Sequence, residues 1–134
     1  VITENVISEN ELGIYISDTY CTNNLIYHND FIENTQQASD VASNSWDNGY
    51  PSGGNYWSDY SGVDVYSGVS QNEPGSDGIG DTPYNVDADT IDHYPLMNCY
   101  NPTPPAPSVP EPPIIILILA TTFGISLIKR QRKF

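Results

Sequence analysis

The chain has 134 residues, with seventeen Asp and Glu against four Lys and Arg, a formal net charge of −13, and two cysteines. All four basic residues lie at Lys129, Arg130, Arg132 and Lys133, so residues 1–128 carry acid with no base to balance it. Such a field repels nucleic acid and anionic lipid and excludes polynucleotide binding by the bulk of the chain.

Residues 1–44 contain asparagines at fixed intervals. "NVISEN" (Asn5 to Asn10) matches "NDFIEN" (Asn29 to Asn34) at an offset of twenty-four, and Asn24 extends the five-residue spacing backward. Between them "GIYIS" alternates, with Ile14 and Ile16 on one face and Tyr15 on the other. Short β-rich runs recurring at this period predict a parallel β-helix; the competing reading is an antiparallel hairpin sheet. Asparagine suits the corners because it tolerates φ > 0 and its amide can bond to the same residue one coil away. Two coils bury too little core to stand alone, so neighbouring coils are expected N-terminal to them. The first coil is then expected to present an unpaired edge from about Ile2 to Ser8. The chain starts at Val1 without a charged-then-apolar leader, which makes a C-terminal fragment of a longer precursor the expectation.

After Asn44 the composition turns to Trp, Tyr, Gly and Asp, and residues 45–100 are expected to form a cap. Trp46, Trp57, Tyr56, Tyr60, Tyr84 and Tyr94 can cover the end of the coils while keeping their polar tips wet, or form an aromatic platform for a sugar. The loop "GSDGIGDTPY" (Gly75 to Tyr84) and the following "NVDADTID" supply Asp77, Asp81, Asp87, Asp89 and Asp92. Hard oxygen ligands with glycine to wrap the ion are what Ca²⁺ prefers, so these five are the candidate calcium ligands. The spacing is not that of an EF-hand, and the alternative is a glycine-rich turn whose aspartates accept backbone N–H groups. A lyase mechanism needs a basic residue, and residues 1–128 contain no Lys or Arg. Paired carboxylates could in principle hydrolyse a glycoside, yet no pair is singled out, so the chain is read as non-catalytic. Cys21 and Cys99 either pair as a disulfide, suited to an oxidising exterior, or remain free thiols. The asparagines offer no glycosylation acceptor free of proline.

Seven of the thirteen residues in "NPTPPAPSVPEPP" (101–113) are proline, which predicts an extended stalk of about 40 Å. Residues 114–128, "IIILILATTFGISLI", carry no charge and are followed by a basic tail, residues 129–134. At ~1.5 Å per residue they form a helix of roughly 22 Å, a short transmembrane span whose flanking Lys129 and Arg130 can snorkel. Positive residues stay inside, so the C-terminus is expected in the cytoplasm and the bulk outside, anchored at the cell surface.

Two resemblances follow from these blocks. "WDNG", "GGNYWSDY", "GSDGIGDTPY" and "DHYPLM", together with the asparagine repeats, resemble the end of archaeal and bacterial surface proteins with NosD-type or carbohydrate-binding-and-sugar-hydrolase (CASH) repeats. This implies an all-β, truncated right-handed parallel β-helix of about two coils, closed by an irregular aromatic and acidic cap. In that family's turn another Asp or Asn often precedes "DGIGD", where this chain has Ser76. The NosD likeness also implies a copper accessory role, for which His28, His93, Met97, Cys21 and Cys99 are the available ligands, without a recurring spacing. "VPEPP" before an apolar run and a basic cluster is similar to PEP-CTERM and PEF-type sorting signals. That likeness makes Val109, Pro110, Glu111 and Pro112 the recognition residues of a membrane transpeptidase; a retained anchor is the alternative. The function expected is display and adhesion or glycan binding. The alternatives are the end of a surface polysaccharide-acting enzyme and a copper accessory protein.

Overall fold

A computed structural model describes residues 1–100, and the structural statements below concern these residues. The stalk (101–113) with Val109, Pro110, Glu111 and Pro112, the apolar span 114–128 and the basic tail lie outside them. No helix among the described residues is long and apolar enough to cross a membrane.

The fold is all-β. β1 (Val6–Ser8), β3 (Asp30–Ile32) and β5 (Tyr56–Trp57) form one parallel sheet in that order, and β2 (Leu12–Ile16) pairs in parallel with β4 (Gln36–Asp40). The register reproduces the sequence period: Ile7 faces Phe31 and Ile14 faces Ala38, each twenty-four residues on. A third side consists of single parallel bridges, Ile2 to Ile26 and Leu25 to Ser45.

The stack does not stop at residue 44, where the cap was expected to begin. β5 lies on β3 with Phe31 opposite Trp57, so a partial third coil falls inside the supposed cap. The repeat is hidden in the sequence because the offset changes. It is twenty-four at Ile16 and Asp40, twenty at Leu25 and Ser45, and twenty-six at Asp30 and Tyr56. The second coil's turn at Val41–Ser43 is shorter than the first coil's, and the "WDNGYPSGG" loop adds length before β5. Strand positions are kept because a slip by one residue would turn Phe31 or Trp57 outward.

Asparagine occupies the corners as expected, though the expected conformation belongs to its neighbour. Glu4, Glu9, Asn23, His28 and Glu33 have φ between 52° and 61°, and each immediately precedes a ladder asparagine: Asn5, Asn10, Asn24, Asn29 and Asn34. The left-handed residue bends the chain, and the asparagine after it stays in a conformation that points its amide along the stack. The amide's role is therefore to bond the next coil, and the conformational strain is carried by the residue before it.

The core is a column of side chains. Ile26, Phe31, Ala38, Trp46, Trp57 and Val86 are buried, with Ile2, Ile7, Ile14 and Ile16 half-buried against them. Phe31 stacks on Trp57 at 4.3 Å and 11°, and Trp57 stacks on Tyr84 at 4.3 Å and 12°, so Tyr84 forms the end plate of the column. Each ring buried in this way contributes about 1.5–3 kcal/mol of apolar transfer and somewhat more from stacking. The cap expectation holds for Tyr84 but not for the tryptophans. Trp46 and Trp57 are fully enclosed, and their indole N–H groups donate to buried carboxylates instead of water.

The far edge of the parallel sheet is closed by the loop that drew attention in the sequence. Leu96 bridges to Tyr56 in parallel as one more rung, and Ile79 pairs with Leu96 in antiparallel. Gly80 N–H donates to Pro95 O (2.8 Å) and Met97 N–H to Gly78 O (3.0 Å). An antiparallel partner presents no further parallel edge, which protects the sheet from pairing with another chain. A Cβ on Gly80 would run into the Tyr60 ring and hydroxyl, so a side chain there would push the closing strand away. β6 (Tyr66–Ser67) with β7 (Glu73–Pro74), and β8 (Tyr84–Asn85) with β9 (Ile91–Asp92), are short antiparallel pairs around this end.

Candidate functional site in the acidic cap

The asparagine ladders end on carboxylates. Asn29 N–H and Nδ2–H donate to Asn55 Oδ1 at 3.1 and 3.0 Å, and Asn55 in turn gives its backbone N–H to Asp92 Oδ2 at 2.8 Å. Asp92 is fully buried and also accepts Trp57 Nε1–H (2.9 Å) and Tyr94 N–H (3.0 Å). Burial drives its carboxyl up to about 7, with nearby Asp47 adding to the rise, although the three N–H donors oppose it. Gly54 passes so close that a Cβ there would overlap the Asp92 carboxylate. On the other ladder Asn24 donates to Asn44 Oδ1, and Asn44 Nδ2–H donates to both oxygens of buried Asp40 at 3.0 Å. Asp40 also takes Trp46 Nε1–H at 2.9 Å. A carboxylate suits this position because it accepts only, which lets it receive the last donors of a ladder and an indole together.

The five aspartates singled out for calcium are divided among three jobs. Asp77 Oδ1 accepts Ile79 N–H (3.1 Å), and its Oδ2 accepts Gly68 N–H (3.3 Å) and Gln71 Nε2–H (3.2 Å). Asp81 accepts the backbone N–H groups of Val65 and Tyr66 at 3.1–3.2 Å. Asp64, which the sequence reading passed over, holds Asp77 N–H and Gly78 N–H at 3.1 and 2.8 Å. Together these three tie the β6–β7 hairpin to the closing loop, and the bonds reach sixteen residues, beyond an ordinary local turn. Asp87 accepts from the N–H groups of Asp40, Asp89 and Thr90; burial works to raise it, but these donors outweigh burial and hold its carboxyl below the usual range. Asp89 is exposed, and Asp92 ends the ladder. Among the described residues no group of three or more His, Cys, Asp or Glu is placed to hold a metal ion.

The soft and imidazole residues make the following contacts. His28 lies under the exit of the described chain, its ring stacked on Tyr100 at 3.9 Å and its Nε2 at 2.7 Å from Ser52 O. His93 is exposed and pairs through Nδ1 with Asp47 Oδ2 at 3.0 Å. Met97 takes part in closing the sheet edge. Cys21 is exposed and Cys99 half-buried, and both are free thiols in this structure. Burial, with the charge of Asp30, pushes the Cys99 thiol up.

Beside the end plate lies a cleft of about 550 Å³ lined by Asp59, Tyr60, Ser61, Thr82, Tyr84 and Asn85. Tyr84 is held from three directions. Trp57 supports one ring face, Tyr60 meets it edge-on at 6.4 Å and 69°, and its hydroxyl donates to both oxygens of Asp59 at 3.1–3.2 Å. Burial and the Asp59 charge push the Tyr84 phenol far up, so it remains a donor across the physiological range. Tyr60 is fixed by donation to Thr82 O at 2.6 Å. Asp59 further accepts Gln37 Nε2–H at 3.1 Å, which fastens the cleft to the second coil. Nothing in the spacing of Asp59 to Tyr84 marks these residues as partners; the aromatic composition was the only signal.

With the coils and cap in place, comparison with known proteins becomes informative. Residues 1–62 match the family model described as periplasmic copper-binding protein (NosD). The match ends just past β5, so it covers β1 to β5 and leaves out the closing loop and most of the acidic cap. No curated protein and no solved structure matches the chain. Residues 1–62 are thus similar to the NosD family model over the parallel β coils.

Proposed function

We propose that this chain is the closing end of an extracytoplasmic β-helix protein that binds glycans without catalysis and is held at the cell surface by its apolar C-terminal span. The NosD-like coils support the location, and the Tyr84 cleft carries the binding reading. A rigid aromatic ring beside a carboxylate, hydroxyls and an amide is the combination a saccharide uses, with apolar ring against C–H faces and polar groups on hydroxyls. The acids of the cap support a non-catalytic role, since Asp77, Asp81, Asp87 and Asp92 each hold backbone N–H groups. For the same reason binding is not routed through calcium; a melting curve that drops on adding chelator would reverse that assignment. Among the described residues His28 and His93 each have a partner of their own, Ser52 O and Asp47, which supports the glycan reading over a copper one.

The test is calorimetry against a panel of soluble cell-surface polysaccharides. Binding is expected to weaken at least tenfold in Asp59→Ala and in Tyr84→Leu, with the far-ultraviolet signal of Asp59→Ala at 20 °C matching that of the parent. Absence of binding across the panel, or binding indifferent to both substitutions, overturns the proposal.

A further inference from the structure

The cleft beside Tyr84 has a hydrogen-bonding polarity as well as a shape. Both phenolic protons are already committed, that of Tyr84 to Asp59 and that of Tyr60 to Thr82 O at 2.6 Å. What the two hydroxyls still offer an entering molecule is oxygen lone pairs. Asp59 is exposed and is the one charged residue among the described lining residues. It receives two protons, from the Tyr84 hydroxyl and from Gln37 Nε2 at 3.1 Å, whereas an ionised carboxylate has about four acceptor sites. The cleft is therefore rich in acceptors that have room for more donors.

These acceptors are held in place. Gln37 Nε2 also donates to Ser58 Oγ at 3.0 Å, so the amide that braces Asp59 is itself tied to the residue before it. A Cβ on Gly62 or on Gly80 would run into Tyr60, so the chain closes on that ring at two points. The charge of Asp59 has no basic side chain to neutralise it, since residues 1–128 contain no Lys or Arg. Asp81 precedes the lining segment that begins at Thr82, and Asp87 follows it closely in the chain, so the surrounding field has the same sign.

We propose that this cleft selects saccharides carrying a free, protonated amine, the unacetylated amino sugars, with Asp59 as the residue that sets the preference; the inference rests on the glycan reading of the same cleft. An ammonium brings donors and no acceptor, which matches a site made of acceptors, and its hydrogen bonds to a carboxylate are roughly twice as strong as neutral ones. The Tyr84 ring gives the sugar apolar contact, and an aromatic ring also attracts a nearby cation. N-acetylation removes the charge and two of the three donors. A uronic acid would set a second carboxylate against Asp59, like charge against like charge and acceptor against acceptor.

The full chain, in a polyoxyethylene detergent that carries no sugar, is titrated calorimetrically at about pH 5.5 and low salt with oligosaccharides of equal length built from glucosamine, N-acetylglucosamine or galacturonate. The glucosamine oligomer is expected to bind at least tenfold tighter than the N-acetylated one, the galacturonate oligomer is expected not to bind, and added salt should shrink the difference. Asp59→Asn is expected to bring the first two oligomers within about twofold of each other. Glu4→Gln removes the same charge at an exposed corner of the first coil and is expected to leave their ratio unchanged. A linear polyamine matched in charge to the glucosamine oligomer is expected not to displace it. Because the oligomers are compared on the parent chain, a misfolded Asp59→Asn would leave that comparison decisive. Equal affinity for the amine and N-acetyl forms overturns the amine selectivity and leaves the glycan reading standing. A preference that survives Asp59→Asn, one that falls as far in Glu4→Gln, or displacement by the polyamine overturns it as well. Binding to none of the three oligomers removes the glycan reading and this inference together.

Discussion

Removing the amide of Asn55 should cost more than removing any other asparagine of the ladder, and the structure allows the size to be worked out. Asn55 is fully buried; its Oδ1 accepts Asn29 N–H and Nδ2–H, and its Nδ2 donates to Ile26 O at 3.0 Å and Trp46 O at 2.8 Å. In Asn55→Ala the Asn29 backbone N–H and both carbonyls lose these partners inside the core, while Asn29 Nδ2 keeps Ile2 O and Tyr27 O. At about 1–3 kcal/mol for each of the three stranded buried groups, the loss is of order 3–9 kcal/mol. That is comparable to the whole stability of a domain, typically about 5–15 kcal/mol. Asn5→Ala, by contrast, removes an exposed donor whose backbone N–H still reaches Asn29, and should cost less than about 1 kcal/mol. Urea unfolding read by tryptophan fluorescence suits the measurement, since the only two tryptophans, Trp46 and Trp57, are both buried. If Asn55→Ala and Asn5→Ala cost the same, the ladder is ornamental and the column of rings alone holds the coils.

Three further outcomes follow from the cap. Asp92 has a folded pKa of about 7 against an ordinary value near 4. The folded state therefore binds its proton more tightly, and stability should be greatest below about pH 4 and fall as pH rises toward 7, by up to ~4 kcal/mol. Comparing the pH dependence of urea midpoints in the parent and in Asp92→Asn isolates this term, and equal slopes would contradict it. Replacing Ile79, which is 4% exposed at the sheet edge, by Asp should open the closing strand and promote self-association, visible by sedimentation velocity. Thiol titration of the folded protein should give one fast cysteine, exposed Cys21, and one slow one, Cys99, and denaturation should bring both to the same rate.

The coils were legible because their signal is local and periodic. Two asparagine pairs at an offset of twenty-four gave the parallel register, and the alternation that set Tyr15 opposite Ile14 and Ile16 is kept: the ring is 62% exposed and the isoleucines lie toward the core. The third coil was invisible because turns of unequal length break the period before Asn55, and because the ladder changes residue type from Asn55 to Asp92 across thirty-seven positions. In the acidic loop the carboxylates accept backbone N–H groups, several of them distant in sequence. Its partners Val65, Gly68 and Leu96 are remote in sequence, so no pattern in "GSDGIGD" could disclose that it seals a sheet edge. The same holds for Asp59 and Tyr84, which meet only because Trp57 and the second coil hold them there.

The unequal turns have an evolutionary consequence. Four residues vanish at one corner and six are gained at another while every inward-facing ring and amide keeps its place, so the periphery can be rewritten by insertion and deletion without renegotiating the interior. Related chains would then be expected to diverge chiefly in corner length and surface chemistry, acquiring new specificities on an unchanged frame.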